Sequence, residues 1–276
     1  MTKVYYKTVD RNLRSWHGNL QYEVGKEVSL PVVKEPQLCS NTVLHASEKP
    51  LDALRYANVL NCALLEVSGD EVIHEDDKSG FFSLTVIREV PDFEKDSLYG
   101  FSYNEALHPV NPCEIISKPT TEDKKNLKLW KSAVESLDKF LSASISNIVW
   151  SSVSDYVGAS VRDLVKDSVW NLTVDSVFEF IRNSFRDPTA NFLDGSIKFS
   201  IINSIDESIS NSAWAYIGYL FPKINKWAHI DHKEGEYPFQ PGVELWKRGF
   251  IPVKINGKWK LYNLRQDTIL SIRMRR

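Results

Sequence analysis

Histidine and carboxylate side chains lie close together at one place late in the chain. His229 and His232 are three positions apart, with Asp231 between them and Glu234 and Glu236 following. These are metal-ligand types, and two histidines at this spacing on a helix would share a face and could hold a transition metal. A polar loop explains the same residues, because no wider ligand motif frames the pair. We therefore expect no metal cofactor, with His229 and His232 as the alternative metal ligands.

Another histidine, His45, stands in the segment 43–47, just before a short helix that is predicted to open at Pro50. A polar side chain at a strand end that faces a helix N-terminus can bind an anion or polarise a substrate. A structural role as a cap explains His45 equally well. Sequence motifs for phosphate loops, dinucleotide folds, serine nucleophile elbows and zinc helices do not occur. The sequence therefore indicates His45 as a candidate site residue but does not indicate a reaction. Whether the protein is an enzyme stays open.

The first part of the chain, which would position His45, reads as short strands with one helix. Strands are predicted at Lys3–Val9, Cys62–Val67 and Phe81–Val90, with an acidic turn at Gly69–Gly80 before the last of them. A helix is predicted from Pro50 to Ala57, with proline at its first position. We therefore predict a mixed α/β module over residues 1–118.

The middle of the chain carries an internal repeat of eight residues. Serine occupies the first position of seven consecutive octads from residue 136, and the second position is apolar from Leu137 to Phe185. Apolar residues at positions two, five and six favour an amphipathic helix. An octad over two turns needs about 4.0 residues per turn, whereas a relaxed helix has about 3.6, so the helices must wrap right-handedly or break often. Gly158, Pro188 and Gly195 are candidate breaks, and a β arrangement is the alternative.

The end of the chain has clear local signals. Pro241 can begin a short helix that Gly249 ends, and Asn256-Gly257 between two apolar runs predicts a β-hairpin. We therefore predict an α+β protein with an N-terminal mixed α/β module, a central helical octad-repeat segment and a small C-terminal helix plus β-hairpin. Their predicted bounds are 1–118, 119–215 (octads at 136–191) and 216–276.

Composition excludes some classes of protein. The 276 residues are 42% hydrophobic and 25% charged, which is typical of globular domains and excludes global disorder. The net charge of −2 gives no argument for binding nucleic acid or membrane. Residues 247–276 hold nine basic side chains and one acid, so an acidic partner could bind this segment. Three scattered cysteines and the absence of a long apolar run predict a cytoplasmic protein with no membrane contact, or one made in a host cytosol and carried in a virion.

Several segments, in order, resemble an N-terminal module of uncharacterised bacteriophage and prophage proteins, in which short Ser/Trp/Asp-rich repeats follow. The segments are VYYKTVD, QYEVGKEVSL, LHASEKPLDALRYA and ALLEVSGDEV, and the tail YPFQPGVELWKRGFIPV is similar to the same group. The resemblance implies a phage or prophage origin, and we expect a phage-type accessory or structural protein that acts through protein–protein contacts. The octad repeat would be its assembly scaffold, binding a protein partner or a second copy.

The N-terminal module is also similar to ADP-ribosyltransferases. The order of an aromatic-basic strand at Tyr6-Lys7, a Ser-rich segment at 40–47, a helix and a strand of the Leu-Leu-Glu-Val kind carries this similarity. It implies the alternative function, a nucleotide-binding or transferase-like enzyme with NAD as substrate and its pocket in the N-terminal module. Glu89 is the candidate for the catalytic glutamate of that family. Ile87 stands two residues before it, where the family has a companion residue. The implied catalytic candidates are Lys7, His45 and Glu89, and the implied ligand-binding residues are Tyr6, Lys7, His45 and Ser47.

Overall fold

The computed structural model describes residues 3–17, 20–55, 62–137, 144–184, 195–255, 257–263 and 268–270. The chain divides into two compact units, Met1–Asn104 and Glu105–Arg276. Helices occur together with antiparallel sheets, which confirms the predicted α+β class. The division of the chain into three segments, with boundaries after residues 118 and 215, stays a prediction.

The first unit is built mainly of antiparallel strands. They are β1 (Tyr5–Asp10), β2 (Glu27–Ser29), β3 (Leu44–Ala46), β4 (Cys62–Ser68), β5 (Glu71–Glu75), β6 (Lys78–Phe81) and β7 (Ser83–Glu89). One sheet has the order β1-β4-β7-β2, and a smaller one has the order β3-β6-β5. The helices are α1 (Pro50–Leu54) and α2 (Asp92–Tyr99), and α3 (Tyr103–Leu107) begins in this unit and ends in the second. Proline stands in the first turn of α1, as predicted. The predicted helix runs to Ala57, and its residues 56–57 lie outside the described residues.

The acidic segment Gly69–Gly80 is a hairpin rather than a turn. It forms β5 and β6, which pair from Glu71 opposite Phe81 to Glu75 opposite Lys78. Asp76 has a φ of +50°, as a tight two-residue turn requires. No apolar alternation marks this segment in the sequence, because four of the five residues of the edge strand β5 are exposed and need not be apolar.

The second unit contains the longer helices and a C-terminal sheet. Its elements are α4 (Thr121–Leu137), α5 (Ile145–Val157), α6 (Ala159–Val169), α7 (Asp175–Ser184), α8 (Gly195–Tyr219), α9 (Gln240–Lys247), β8 (Phe250–Ile255), β9 (Lys258–Asn263) and β10 (Thr268–Leu270). Gly249 follows α9 with a φ of +76°, and β8 pairs with β9 up to Ile255 opposite Lys258. The predicted helix end and hairpin are therefore confirmed, although Asn256 itself lies outside the described residues. β10 adds a third strand that was not predicted.

The octads form helices, which confirms the helical interpretation over the β alternative. The second-position residues are buried in the core of the unit: Ile145, Val153, Val161, Val169 and Val177. Asp155 and Asn171, at fourth positions, are exposed. Octad residues at 138–143 and 185–191, including Pro188, lie outside the described residues. The apolar stripe of the repeat is therefore part of the unit's own core.

Two local irregularities let an eight-residue repeat keep one face buried. Each octad turns an ideal helix about 80° too far. Gly158, with a φ of +82°, separates α5 from α6, as predicted. Between α6 and α7, residues Trp170–Val174 form a π-helical turn in which the Asp175 N–H donates to the carbonyl of Trp170. A π turn holds one extra residue, which offsets about 100° of rotation. Gly195, the remaining predicted break, is the first residue of α8.

We predict that the π turn tolerates the loss of a residue whereas a regular helix does not. Deleting the exposed Leu172 should convert the turn to an ordinary α-helix, keep α6 and α7 in phase, and lower the free energy of unfolding by less than about 2 kcal/mol. Deleting Ser151 from α5 rotates the residues on either side by about 100° relative to each other and should cost considerably more. Urea denaturation followed by circular dichroism measures both, and equal damage would contradict this account.

Candidate functional site

Lys7 occupies an apolar position of the four-stranded sheet. It lies on β1 between Tyr5 and Val9, and the side chains of alternate residues point to the same face of a strand. Leu65 is its direct partner on β4. Tyr5, Val9 and Leu65 all belong to the buried core of the first unit. A lysine therefore stands where the pattern of the strand calls for an apolar residue.

The ammonium group of Lys7 has only neutral partners among the described residues. Its Nζ donates to the backbone carbonyl of His45 at 2.8 Å and lies 5.3 Å from the centre of the Tyr22 ring. The residue is half-buried by accessible surface, yet the protein around its Nζ removes enough water to lower the pKa of Lys7 to about 8. Desolvation disfavours the charged form of Lys7, and no carboxylate among the described residues offsets this effect.

Lys95 shows how the same unit treats another buried lysine. Its side chain is fully buried, and its Nζ forms an ion pair with Asp92 at 2.6 Å. Buried charges in proteins are usually paired in this way. The contrast makes Lys7 unusual, because its charge is held at an apolar position with a carbonyl and a ring as its partners.

His45 is a neutral acceptor beside Lys7. The backbone N–H of Cys39 donates to His45 Nε2 at 2.9 Å, so the ring proton lies on Nδ1. Desolvation, followed by repulsion from Lys7 and Lys78, lowers the pKa of His45 to about 4. The ring therefore stays uncharged at neutral pH, in surroundings that are electrostatically positive.

Tyr22 completes this group and was not predicted. Its side chain is 1% exposed, and its hydroxyl has no hydrogen-bond partner among the described residues. Burial raises the pKa of Tyr22, so the hydroxyl keeps its proton. Tyr22 is 15 positions after Lys7 in the sequence. Its ring lies beside the ammonium group because of tertiary packing, which no local sequence pattern indicates. We call Lys7, Tyr22 and His45 the Lys7 cluster.

Tyr6 and Ser47 are close to the Lys7 cluster through their backbones. Tyr6 N–H donates to the carbonyl of Ser47 at 2.7 Å, and Ser47 N–H donates back at 2.8 Å. As the neighbour of Lys7 on a strand, Tyr6 directs its side chain to the opposite face. Ser47 is buried. These two residues therefore fix the approach of β1 to the end of β3, and their role as ligand-binding residues stays a prediction.

Glu89 shares a face with Lys7 but is two strands away. Leu65 of β4 pairs with Lys7 on one side and with Glu89 of β7 on the other. Strands in a sheet are about 4.8 Å apart, so the backbones of Lys7 and Glu89 are separated by roughly 10 Å. The structure therefore brings Lys7 and His45 together directly, and a molecule that contacted both Lys7 and Glu89 would have to extend across β4.

The late histidines lie in a loop, so they do not share a helix face. His232 Nε2 accepts from the backbone N–H of Trp227 at 2.8 Å, and its Nδ1 lies 2.9 Å from the carbonyl of Lys233. His229 is exposed with a φ of +58°. Both ring nitrogens of His232 are thus engaged in holding the loop. Elsewhere in the described chain, ligand atoms of Glu48, Glu71 and His74 lie within 4.8 Å of one another, all of them exposed.

Comparison with known proteins finds a family match in the first unit. Residues 3–94 match the model of a family described as "Domain of unknown function (DUF7666)". No curated protein and no solved structure matches the chain. Within the part of the chain that the structure describes, no helix is long and apolar enough to cross a bilayer. The matched span contains the Lys7 cluster and Glu89, and it excludes the octads.

We predict that His45 makes the protein sensitive to mild acid. The unfolded chain binds a proton at His45 near pH 6.5, whereas the folded chain does so only near pH 4. Between these values the unfolded state holds more protons, so stability falls as the pH is lowered, by up to about 3 kcal/mol. His45→Gln keeps an acceptor for the Cys39 N–H but does not titrate. Its unfolding midpoint should therefore change less than that of the wild type between pH 6.5 and 4, and parallel pH profiles would contradict this assignment.

Proposed function

We propose that the first unit is a small-ligand-binding module and that its ligand contacts the Lys7 cluster. The observation that carries this proposal is the ammonium group of Lys7, held at an apolar position with no carboxylate among the described residues to pair it. Desolvating a lysine to this degree costs about 3 kcal/mol. Perturbed titratable groups beside one another mark functional sites more often than chance would. The family match over residues 3–94 supports the view that this unit recurs as a module.

The ligand class that we propose is a nucleotide of the NAD or ADP-ribose kind, as the similarity to ADP-ribosyltransferases implies. A molecule of this length could contact Lys7 at one end and reach Glu89 at the other by passing around the buried Leu65, which lies between them, whereas a small ion could not. Glu89 is exposed at the end of β7 and is the residue that a transfer reaction would need. The proposed function is therefore nucleotide binding at the Lys7 cluster. If Glu89 also contacts the bound nucleotide, the protein would be an ADP-ribosyltransferase-like enzyme.

We predict that NAD or ADP-ribose at millimolar concentration raises the melting temperature of the full chain. A ligand that binds only the folded state at 100 times its Kd stabilises it by about 2.7 kcal/mol. Lys7→Met, which keeps a long side chain but removes the charge, should abolish this shift while raising the melting temperature without ligand. Differential scanning calorimetry with isothermal titration measures both effects.

Lys26→Met is the matched control, because Lys26 is an exposed lysine of the same unit paired with Glu23. It should leave the ligand-induced shift unchanged. No shift with either nucleotide in the wild type would contradict the proposed ligand class. A shift that survives Lys7→Met would move the site away from the Lys7 cluster.

A second candidate function is protein contact through the octad segment, in a phage-type accessory or structural protein of a host cytosol or virion. Trp150 keeps 40% of its surface exposed and packs edge-on against Trp214, which also contacts Trp170. The guanidinium of Arg162 stacks on the Trp150 ring. Tryptophan and arginine are enriched among the residues that dominate protein interfaces. The basic segment proposed to bind an acidic partner has its last residues, 271–276, outside the described residues.

We predict that Trp150→Ala weakens self-association of the chain. Sedimentation velocity over a concentration series should show a dimer for the wild type and a shift to monomer for the variant, because truncation of an interface tryptophan commonly costs more than about 2 kcal/mol of binding. Asp155→Ala, an exposed change on the same helix, should not affect association. A wild-type chain that is monomeric throughout the series would contradict self-association through this surface.

A further inference from the structure

The Lys7 cluster contains donors without acceptors. Lys7 carries three N–H groups, and one of them donates to the carbonyl of His45. The hydroxyl of Tyr22, whose ring centre lies 5.3 Å from the same ammonium group, is buried and has no hydrogen-bond partner among the described residues. Leaving a buried donor unpaired is unfavourable, so such groups are few in folded proteins.

The charge around these donors has one sign. Lys7 and Lys78 both lie near enough to His45 to disfavour its protonation, and no carboxylate among the described residues offsets the desolvation of Lys7. His45 already accepts from the backbone of Cys39 and cannot take a second donor at Nε2. What is missing from the cluster is therefore an acceptor that carries negative charge.

We propose that Lys7 Nζ and the Tyr22 hydroxyl together bind an anionic oxygen of the ligand, a carboxylate or a phosphate group. An anionic oxygen accepts strong, short hydrogen bonds from an ammonium and a phenol, and it neutralises the desolvated charge. This inference rests on the proposed ligand-binding function of the Lys7 cluster and adds the chemical group that is recognised there. Tyr22 becomes a specificity-determining residue that the sequence motifs did not indicate.

Access to the cluster is through Lys7 itself. The Lys7 side chain is half-buried, so part of it reaches the surface, whereas Tyr22 is almost fully enclosed. Lysine has a flexible four-carbon stem, so we infer that a shift of this stem exposes the Tyr22 ring over which its Nζ lies. The bound oxygen then accepts from a Lys7 N–H group other than the one that donates to the carbonyl of His45.

Tyr22→Phe tests this inference, because it removes only the unpaired hydroxyl. Without ligand, the variant should melt at the same or a higher temperature than the wild type, since an unpaired buried donor is lost. Its affinity for the anion should fall about tenfold, the value of one hydrogen bond to a charged group. Tyr99→Phe is the matched control, because Tyr99 is the other buried tyrosine of this unit whose hydroxyl has no partner among the described residues. It should gain stability in the same way and keep the wild-type affinity.

Binding is measured by isothermal titration of the full chain with inorganic phosphate, acetate and ADP-ribose at constant ionic strength. Binding of phosphate but not acetate assigns the site to a phosphate group, and the reverse assigns it to a carboxylate. If ADP-ribose binds in a Lys7-dependent way but Tyr22→Phe binds like Tyr99→Phe, the proposed function stands and this inference is wrong. If phosphate or acetate binds through Lys7 and Tyr22 while ADP-ribose does not, the anion site stands and the nucleotide class is wrong. No binding of any of the three overturns the anion site.

Discussion

An ammonium group inside an apolar surface is the constraint around which the first unit is organised. Lys7 stands between Tyr5 and Val9, with Leu65 opposite, and each of these neighbours is buried in the core. The carbonyl of His45 and the face of Tyr22 are what the fold offers to this charge. A carbonyl dipole and an aromatic quadrupole compensate a cation only in part. Burial therefore lowers the pKa of Lys7.

The second unit depends on a different constraint, the mismatch between an eight-residue repeat and the α-helix. An apolar stripe of this period would leave the core after about two octads if the helix were continuous. The break at Gly158 and the π turn at 170–174 return the stripe to the core each time. Within that turn, the Thr173 hydroxyl donates to the carbonyl of Val169 at 2.6 Å, a bond that competes with regular helical pairing. The repeat is therefore a rule for packing within the unit, and only its outer side chains, such as Trp150, remain for contact with other proteins.

Local signals were enough to predict much of the fold. The proline of α1, Gly249 after α9 and the Asn-Gly hairpin each act over a few residues, and the octad pattern repeats too often to be misread. The β5–β6 hairpin was missed because its acidic residues face solvent, and the π turn because a one-residue irregularity has no signature in composition. At the candidate site, a resemblance pointed to Lys7 and His45, which the structure joins by a hydrogen bond. Tyr22 could not be predicted, since its part depends on how a loop packs on the sheet.

The treatment of lysine charge elsewhere in the chain supports the proposal that Lys7 serves a ligand. Lys95, enclosed in the same unit, has Asp92 as its counter-ion, and Lys247 of the second unit has Glu105 at 2.7 Å. Lys95 is fully buried and Lys247 half-buried, and in each case the chain itself supplies the carboxylate, as expected where a lysine only supports the fold. A methionine at position 7 would fill the same space without desolvating a charge, so stability alone gives no reason for a lysine there. The lysine destabilises the unliganded unit. If a ligand supplies the missing negative charge, the free energy lost in the unliganded protein is recovered on binding, which explains why a lysine stands at this position.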